Sequence, residues 1–285
     1  MDLDKYAKTL RPWQWYKNML VFLAIIYSFT IFDFNKLALS FFGFVALSIL
    51  SSANYIFNDI VDKTSDSKNI LKKSSPIASG KITINTAFLL ILILLAAGFF
   101  MSFILSQKFF LLMILFFANS SAYTLFLKKK VLADILAIAA NFVIRAVSGA
   151  LIIDVYVSPW LVLCPFFLSL FISTGKRRAE ISTLGKNAAT CRNTLSQYTE
   201  KIMNSLMIVT TTILIIAYTI YTLTVDIKLL FTLPVVIYGI FRYFYFVYKK
   251  PLIAANPEQA FKDKRFMLSL ILWFVITLAV LYANF

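Results

Sequence analysis

Long apolar runs alternate with short polar ones along the whole chain, and the runs have membrane-spanning length. They lie near residues 19–32, 38–57, 84–105, 109–127, 131–153, 158–175, 202–222, 229–248 and 266–283. Each is near the ~20 residues that a helix needs to cross a bilayer, the first and fourth being short. The pattern predicts an all-α membrane protein of nine spans in a single integral membrane domain, 1–285. Residues 1–18 are polar, carry Trp13, Trp15 and Tyr16, and end in Lys17 and Asn18. That pattern predicts an interfacial helix with an aromatic belt.

One apolar run turns polar along a single face. Ser48, Ser52, Tyr55, Asp59, Asp62 and Asp66 follow one another at steps of 4, 3, 4, 3 and 4. These steps trace one side of an α-helix. A polar face that begins inside an apolar helix and ends in carboxylates is costly to place in lipid, and it marks a candidate site.

Composition sharpens this picture. Of 285 residues, 60% are hydrophobic and 14% are charged, far too apolar for a soluble domain. The 29 phenylalanines suit a lipid-facing surface. Of the 28 lysines and arginines, 23 fall in the N-terminal segment and the even-numbered loops, and Lys36, Lys108 and Lys228 alone fall in the odd ones. Such a bias puts the N-terminus and the even loops in the cytoplasm of a multi-pass inner (plasma) membrane protein. No signal-peptide pattern opens the chain. Cys164 and Cys191 give no disulfide framework. Histidine is absent, which removes the usual neutral-pH base and the commonest transition-metal ligand. Chemistry then falls to carboxylates, cations and hard metals.

Four clusters carry candidate chemistry. Asp59, Asp62 and Asp66 can hold magnesium together with a substrate's phosphate oxygens, since magnesium takes one or two carboxylates and keeps water. A solvated acidic helix end beside Lys63 and Lys68 is the plain alternative. Lys176, Arg177 and Glu180 follow a span directly, with Lys176 and Glu180 on one helical face and Arg192 and Tyr198 further on. They suit an anionic leaving group or a phosphate, against ordinary cytoplasmic flanking charge. Asp134, Asn141, Arg145 and Ser148 share a face of the fifth span, and the buried Arg145 asks for Asp134 or an anionic ligand as partner, or forms a structural ion pair. Tyr123 and Lys128 end the fourth span, where Lys128 to Lys130 also read as a topology signal. Together they form a cytoplasmic-side polar pocket fit for a magnesium-bound diphosphate and a lipid-borne partner.

The motif Asn58-Asp-x-x-Asp62-x-x-x-Asp66, followed by Pro76-Ile77-Ala78-Ser79-Gly80-Lys81, resembles the UbiA superfamily of intramembrane prenyltransferases, a nine-helix bundle. Leu10-Arg11-Pro12-x-Gln14-Trp15-x-Lys17-Asn18, Arg145-Ala146 with Gly149, Gly175-Lys176-Arg177-x-Ala179-Glu180, Tyr198-Thr199 and Phe241-Arg242-Tyr243 are similar to its decaprenyl-phosphate phosphoribosyltransferase branch. The resemblance implies a transferase of cell-envelope biosynthesis. It would move 5-phosphoribose from phosphoribosyl diphosphate to a polyprenyl phosphate within the bilayer and release diphosphate. It implies Mg2+ on Asp59, Asp62 and Asp66, with Asp59, Asp62 and Glu180 catalytic. It implies substrate contacts from Lys17, Asn58, Asp66, Lys72, Tyr123, Lys128, Asp134, Arg145, Lys176, Arg177, Arg192 and Tyr198. No nucleic-acid partner is implied, and a homo-oligomer is left open. The missing histidine fits, because a phosphate monoester nucleophile is already anionic near neutral pH. The chain departs from the family at Asn69-Ile70 and Ser75, where His-Pro and arginine are usual. Two other readings remain: a prenyl diphosphate transferase with an aromatic acceptor, and a transporter or scaffold.

Overall fold

The structure is a computed structural model that describes residues 3–68, 73–184 and 193–282. Lys72 and Arg192, two of the expected substrate-binding residues, lie outside the described residues, as does Cys191. The chain divides into two compact units, Met1–Val157 and Ser158–Phe285. The described secondary structure is helical throughout.

The first unit contains α1 (Leu3–Leu10), a 3-10 helix (Pro12–Val21), α2 (Phe22–Tyr27), α3 (Phe34–Val61), α4 (Lys63–Lys68), α5 (Ile84–Leu105), α6 (Gln107–Leu125), a short 3-10 turn (Leu127–Lys129) and α7 (Ala133–Ile152). The second contains α8 (Pro159–Leu184), α9 (Glu200–Val225), α10 (Leu233–Lys249), α11 (Pro251–Ala255) and α12 (Lys264–Tyr282), with 3-10 segments at Asn193–Ser196, Ile227–Thr232 and Pro257–Lys262.

Among the described residues, eight helices are long and apolar enough to cross a membrane. The first expected span, 19–32, is not one of them. Pro12 lacks an N–H and disfavours helix at the residue before it, and Arg11 turns left-handed with φ 52°. The chain therefore breaks after α1, continues as a 3-10 helix and makes only a six-residue α2. Phe29 at φ 59° then reverses it. Segment 1–18 is accordingly two pieces, where one interfacial helix was expected. Helices α3, α8 and α9 run longer than the apolar count. Side-chain caps fix α3 and α5: Asp33 accepts from the N–H groups of Asn35 and Lys36, and Thr83 accepts from that of Thr86. Helix α8 continues to Leu184, past the expected end at 175, so Lys176 and Glu180 sit on the helix itself.

Burial divides the helices by what they face. On α5, Leu89, Leu92, Ile93, Phe100, Phe103 and Ile104 are all more than half exposed. A surface that apolar fits lipid, and the chain is an integral membrane protein. Helix α3 instead buries Leu47, Leu50, Ala53 and Ile56 completely. Its lower neighbours Ile77, Ile82, Ala87 and Ile91 close one core, against which Tyr6 and Leu10 of α1 pack. In the second unit Phe171, Met207, Tyr243, Phe246 and Val247 form the core.

A close backbone approach fixes the irregular N-terminal segment. A Cβ on Gly149 of α7 would sit 2.0 Å from the Val21 carbonyl oxygen. Gly149→Ala should therefore push the 3-10 helix off α7 and destabilise the protein by about 3 kcal/mol or more. Thermal unfolding in detergent checks this, with an unchanged midpoint as the contrary result.

Candidate functional site

In the first unit the polar face of α3 meets the segment that the Arg11 turn redirects. Asp59 is 4% exposed on its side chain, and one Arg11 nitrogen donates to both its oxygens, at 2.7 and 2.9 Å. Arg11 also lies 5.8 Å over the Tyr55 ring. Asp62 caps the end of α3, its N–H donating to the Asn58 carbonyl. Lys128 donates to Asp62 Oδ1 at 2.5 Å and to Asn58 Oδ1 at 3.3 Å, and Thr124 donates to the same Asn58 oxygen at 3.4 Å. Lys128 thus ties the end of α6 to the acidic motif, and it is more than a topology signal. Asp66, on α4, is buried, and its N–H donates to the Asp62 carbonyl at 2.8 Å. Asp134 is wholly buried at the start of α7, and Tyr123 is half-buried on α6.

Deeper in the same unit the polar line continues. Trp15 donates to Ser52 Oγ at 3.1 Å, and Asn18 donates to Ser48 Oγ at 3.0 Å. Arg145 is 6% exposed and donates from Nε to Asn18 Oδ1 at 2.8 Å and from a terminal nitrogen to the Asn141 carbonyl at 3.0 Å. Its guanidinium lies 4.8 Å over the Phe116 ring. Asp134, offered beside an anionic ligand as a partner for Arg145, lies eleven residues of helix away, about 16 Å along the axis. Lys17 donates to Gln14.

In the second unit Gly175 opens the motif, since any Cβ there would meet the Tyr243 ring at 2.7 Å. Glu180 then holds two cations, Arg177 on one oxygen at 2.7 Å and Lys176 near the other at 3.9 Å. Arg177 is 3% exposed on its side chain. The neighbouring Arg178 donates to Asn204 at 3.0 Å, pairs with Glu200 at 3.0 Å and stacks over Tyr248. Tyr198 is buried beyond the undescribed stretch. At the start of α12, Asp263 accepts from Arg242 at 2.7 and 3.2 Å and from the Phe266 N–H. The Arg242 hydrogen bond holds the Asp263 carboxyl below its ordinary range. A carboxylate depressed on folding adds stability above the unfolded pKa of ~3.9 and loses it as pH falls through the folded value. The unfolding midpoint should drop below about pH 4, and Asp263→Asn should flatten that part of the profile.

Sequence spacing picked out the α3 face, the Lys176–Glu180 pair and Arg145. It did not show the pairing of Arg11 with Asp59, of Asn18 with Arg145, or of Arg178 with Asn204 and Glu200, although Arg11, Asn18 and Arg178 stood inside quoted motifs. Among the described residues, no three His, Cys, Asp or Glu side chains are gathered to hold a metal by themselves. Asp59 and Asp62 nevertheless offer hard oxygen donors, and both already draw a cationic side chain. That donor set fits magnesium, which shares its shell with water and substrate phosphate.

Comparison with known proteins bears on this geometry. Residues 19–270 match the UbiA prenyltransferase family. The chain is 28% identical over 223 residues to the decaprenyl-phosphate phosphoribosyltransferase of Mycolicibacterium smegmatis, covering 77% of this chain and 70% of that one. It is 28% identical to the protein of that name from Corynebacterium glutamicum, covering 76% and 67%. In fold it is similar to a UbiA homolog from Archaeoglobus fulgidus bound to GPP and Mg2+, with a TM-score of 0.72 at 18% identity, covering 97% of this chain and 99% of that one. The chain belongs to the UbiA prenyltransferase family, a family of membrane transferases.

Proposed function

We propose that the protein transfers 5-phosphoribose from phosphoribosyl diphosphate to a polyprenyl phosphate of decaprenyl type, with magnesium, and releases diphosphate. The observation that carries the sugar-donor reading is the end of α8. Three successive cations, Lys176 to Arg178, stand there beside Glu180, where a second carboxylate cluster would suit a second metal-bound diphosphate. The names of the mycobacterial and corynebacterial relatives support the same reading.

The nucleophile is a phosphate oxygen of the lipid. It forms a bond to the ribose anomeric carbon as the bond from that carbon to diphosphate breaks, and the diphosphate departs with the electron pair. The nucleophile is anionic already, so no strong base is required. Magnesium, when bound, neutralises charge on the leaving diphosphate. Asn58, Asp59, Asp62 and Asp66 bind and orient that end of the donor, with Arg11 and Lys128 fixing the carboxylates. Lys176 and Arg177 take phosphate, and Glu180 aims them. Lys17, Lys72, Tyr123, Asp134, Arg145, Arg192 and Tyr198 complete the substrate contacts. The orientation is one with the N-terminus and these loops in the cytoplasm of the plasma membrane, the helices forming a nine-span bundle when the Pro12–Tyr27 segment is counted.

Membranes containing the protein, given phosphoribosyl diphosphate labelled in the ribose, magnesium and a polyprenyl phosphate, should yield a labelled lipid. Folded protein that yields none contradicts the proposal. A second reading, transfer of a prenyl group to an aromatic acceptor, draws on the GPP and Mg2+ of the archaeal fold neighbour. It predicts diphosphate release from a prenyl diphosphate with no sugar donor present.

A further inference from the structure

Helices α3 and α6 of the first unit run in one direction at constant register. A Cβ on Gly43 would lie 3.7 Å from the Phe109 ring, and Thr124 donates to Asn58. Both pairs are 66 residues apart in sequence. Helix α7 runs the other way: Asn141 Nδ2 donates to Ser120 Oγ at 3.0 Å, and Arg145 lies over Phe116. This register brings Asn54, Ser120, Ser121 and Asn141 to one level. One turn toward the acidic motif lies the level of Asn58, Thr124 and Lys128. One turn the other way lies that of Ser51, Asn18 and Arg145.

The two flanking levels are knit by hydrogen bonds. At the middle one, the Asn141–Ser120 bond leaves several other polar atoms unpaired. Asn54 is 8% exposed, and neither its Nδ2 nor its Oδ1 has a hydrogen-bond partner among the described residues. Asn141 Oδ1 and Ser121 Oγ are likewise buried and unpartnered. Buried polar groups are almost always satisfied, so several orphans at one level inside a membrane helix bundle call for a ligand. Their chemistry is uncharged: an amide donor, two amide acceptors and a hydroxyl. A phosphate would draw cations, and a prenyl chain would leave every one of these atoms unpaired. A neutral group bearing several hydroxyls satisfies them.

We propose that this level receives the ribosyl hydroxyls of the donor. The assignment rests on the phosphoribosyl reading above. The depth agrees with it, since one helical turn is about 5.4 Å, near the reach from a sugar-linked diphosphate to its ring. Asn54 is then a residue that favours a sugar over a prenyl chain. Asn54 sits one turn deeper than the carboxylates and acts on the sugar ring alone.

The test compares full-length, detergent-solubilised wild type with Asn54→Leu, which keeps the volume and removes both orphan atoms. The substrate-free protein should unfold at the same or a higher temperature. The KM for phosphoribosyl diphosphate should rise about ten- to hundred-fold, because the site loses hydrogen bonds to substrate hydroxyls. The KM for the polyprenyl phosphate should stay within about two-fold. An unchanged donor KM overturns the assignment and leaves a level filled by water alone. An equal rise in both KM values also counts against it, as a general distortion. Asn54→Ala gives the same comparison if the leucine variant does not fold. Wild type that forms no lipid-linked phosphoribose sinks the underlying reading, and this assignment with it.

Discussion

Asp59→Ala should abolish transfer while the protein stays folded. Asp59 is nearly buried, and its two oxygens face a single Arg11 nitrogen. In the proposed reaction, loss of that carboxylate would take from the leaving diphosphate a fixed partner for its counter-charge. Groups that stabilise a developing charge in such a site are each worth about 10²–10³ in turnover, and a shared cation raises the loss to about 10³ or more. Folding should suffer less. Arg11 keeps 30% of its side chain exposed, so its charge can turn to water, and the Tyr55 ring still supports it. Turnover measured beside the unfolding temperature decides the matter. Asp4→Ala supplies the control. Asp4 pairs with Lys8 at an exposed surface, and such pairs contribute little, so both quantities should hold. An Asp59→Ala protein with near wild-type turnover would remove the acidic motif from the mechanism.

Arg11→Ala should do the opposite and cost stability first. It withdraws the guanidinium from a carboxylate that is 4% exposed. Removing one partner of a buried pair costs about 3–5 kcal/mol, because the remaining charge stays out of water. The double variant Arg11→Ala/Asp59→Asn carries no such charge and should recover most of that loss. It should remain inactive. A cycle of Arg11→Ala, Asp59→Asn and the double, read by denaturant unfolding, measures the coupling. Additive effects would show that the Arg11–Asp59 contact adds little to the fold.

The sequence made visible what one helix can show. The line from Ser48 to Asp59 was readable because a period of 3.6 residues is a local property, and the same holds for Lys176 and Glu180 at i and i+4. The expected continuation on one helix stops at Val61, where Asp62 caps α3 and Asp66 passes to α4. Contacts between distant segments were not. Arg11 reaches Asp59 across 48 positions, and Arg145 reaches Asn18 across 127. Spacing offered Asp134 to Arg145 because both share a face, although the eleven residues between them already mean about 16 Å along the axis. The first span failed for a different reason. Apolar count registers hydrophobicity, whereas Pro12 and the left-handed Arg11 and Phe29 decide backbone path. Asn54 was passed over for want of a charge, and only burial without a partner makes it conspicuous.

Diphosphate release by the purified protein, assayed with each substrate alone and in pairs, tests the central claim most directly. Release should require phosphoribosyl diphosphate and polyprenyl phosphate together, with magnesium, and should match the lipid-linked phosphoribose formed one for one. Release from a prenyl diphosphate in the absence of any sugar donor, with no phosphoribosyl lipid from the paired substrates, would contradict it.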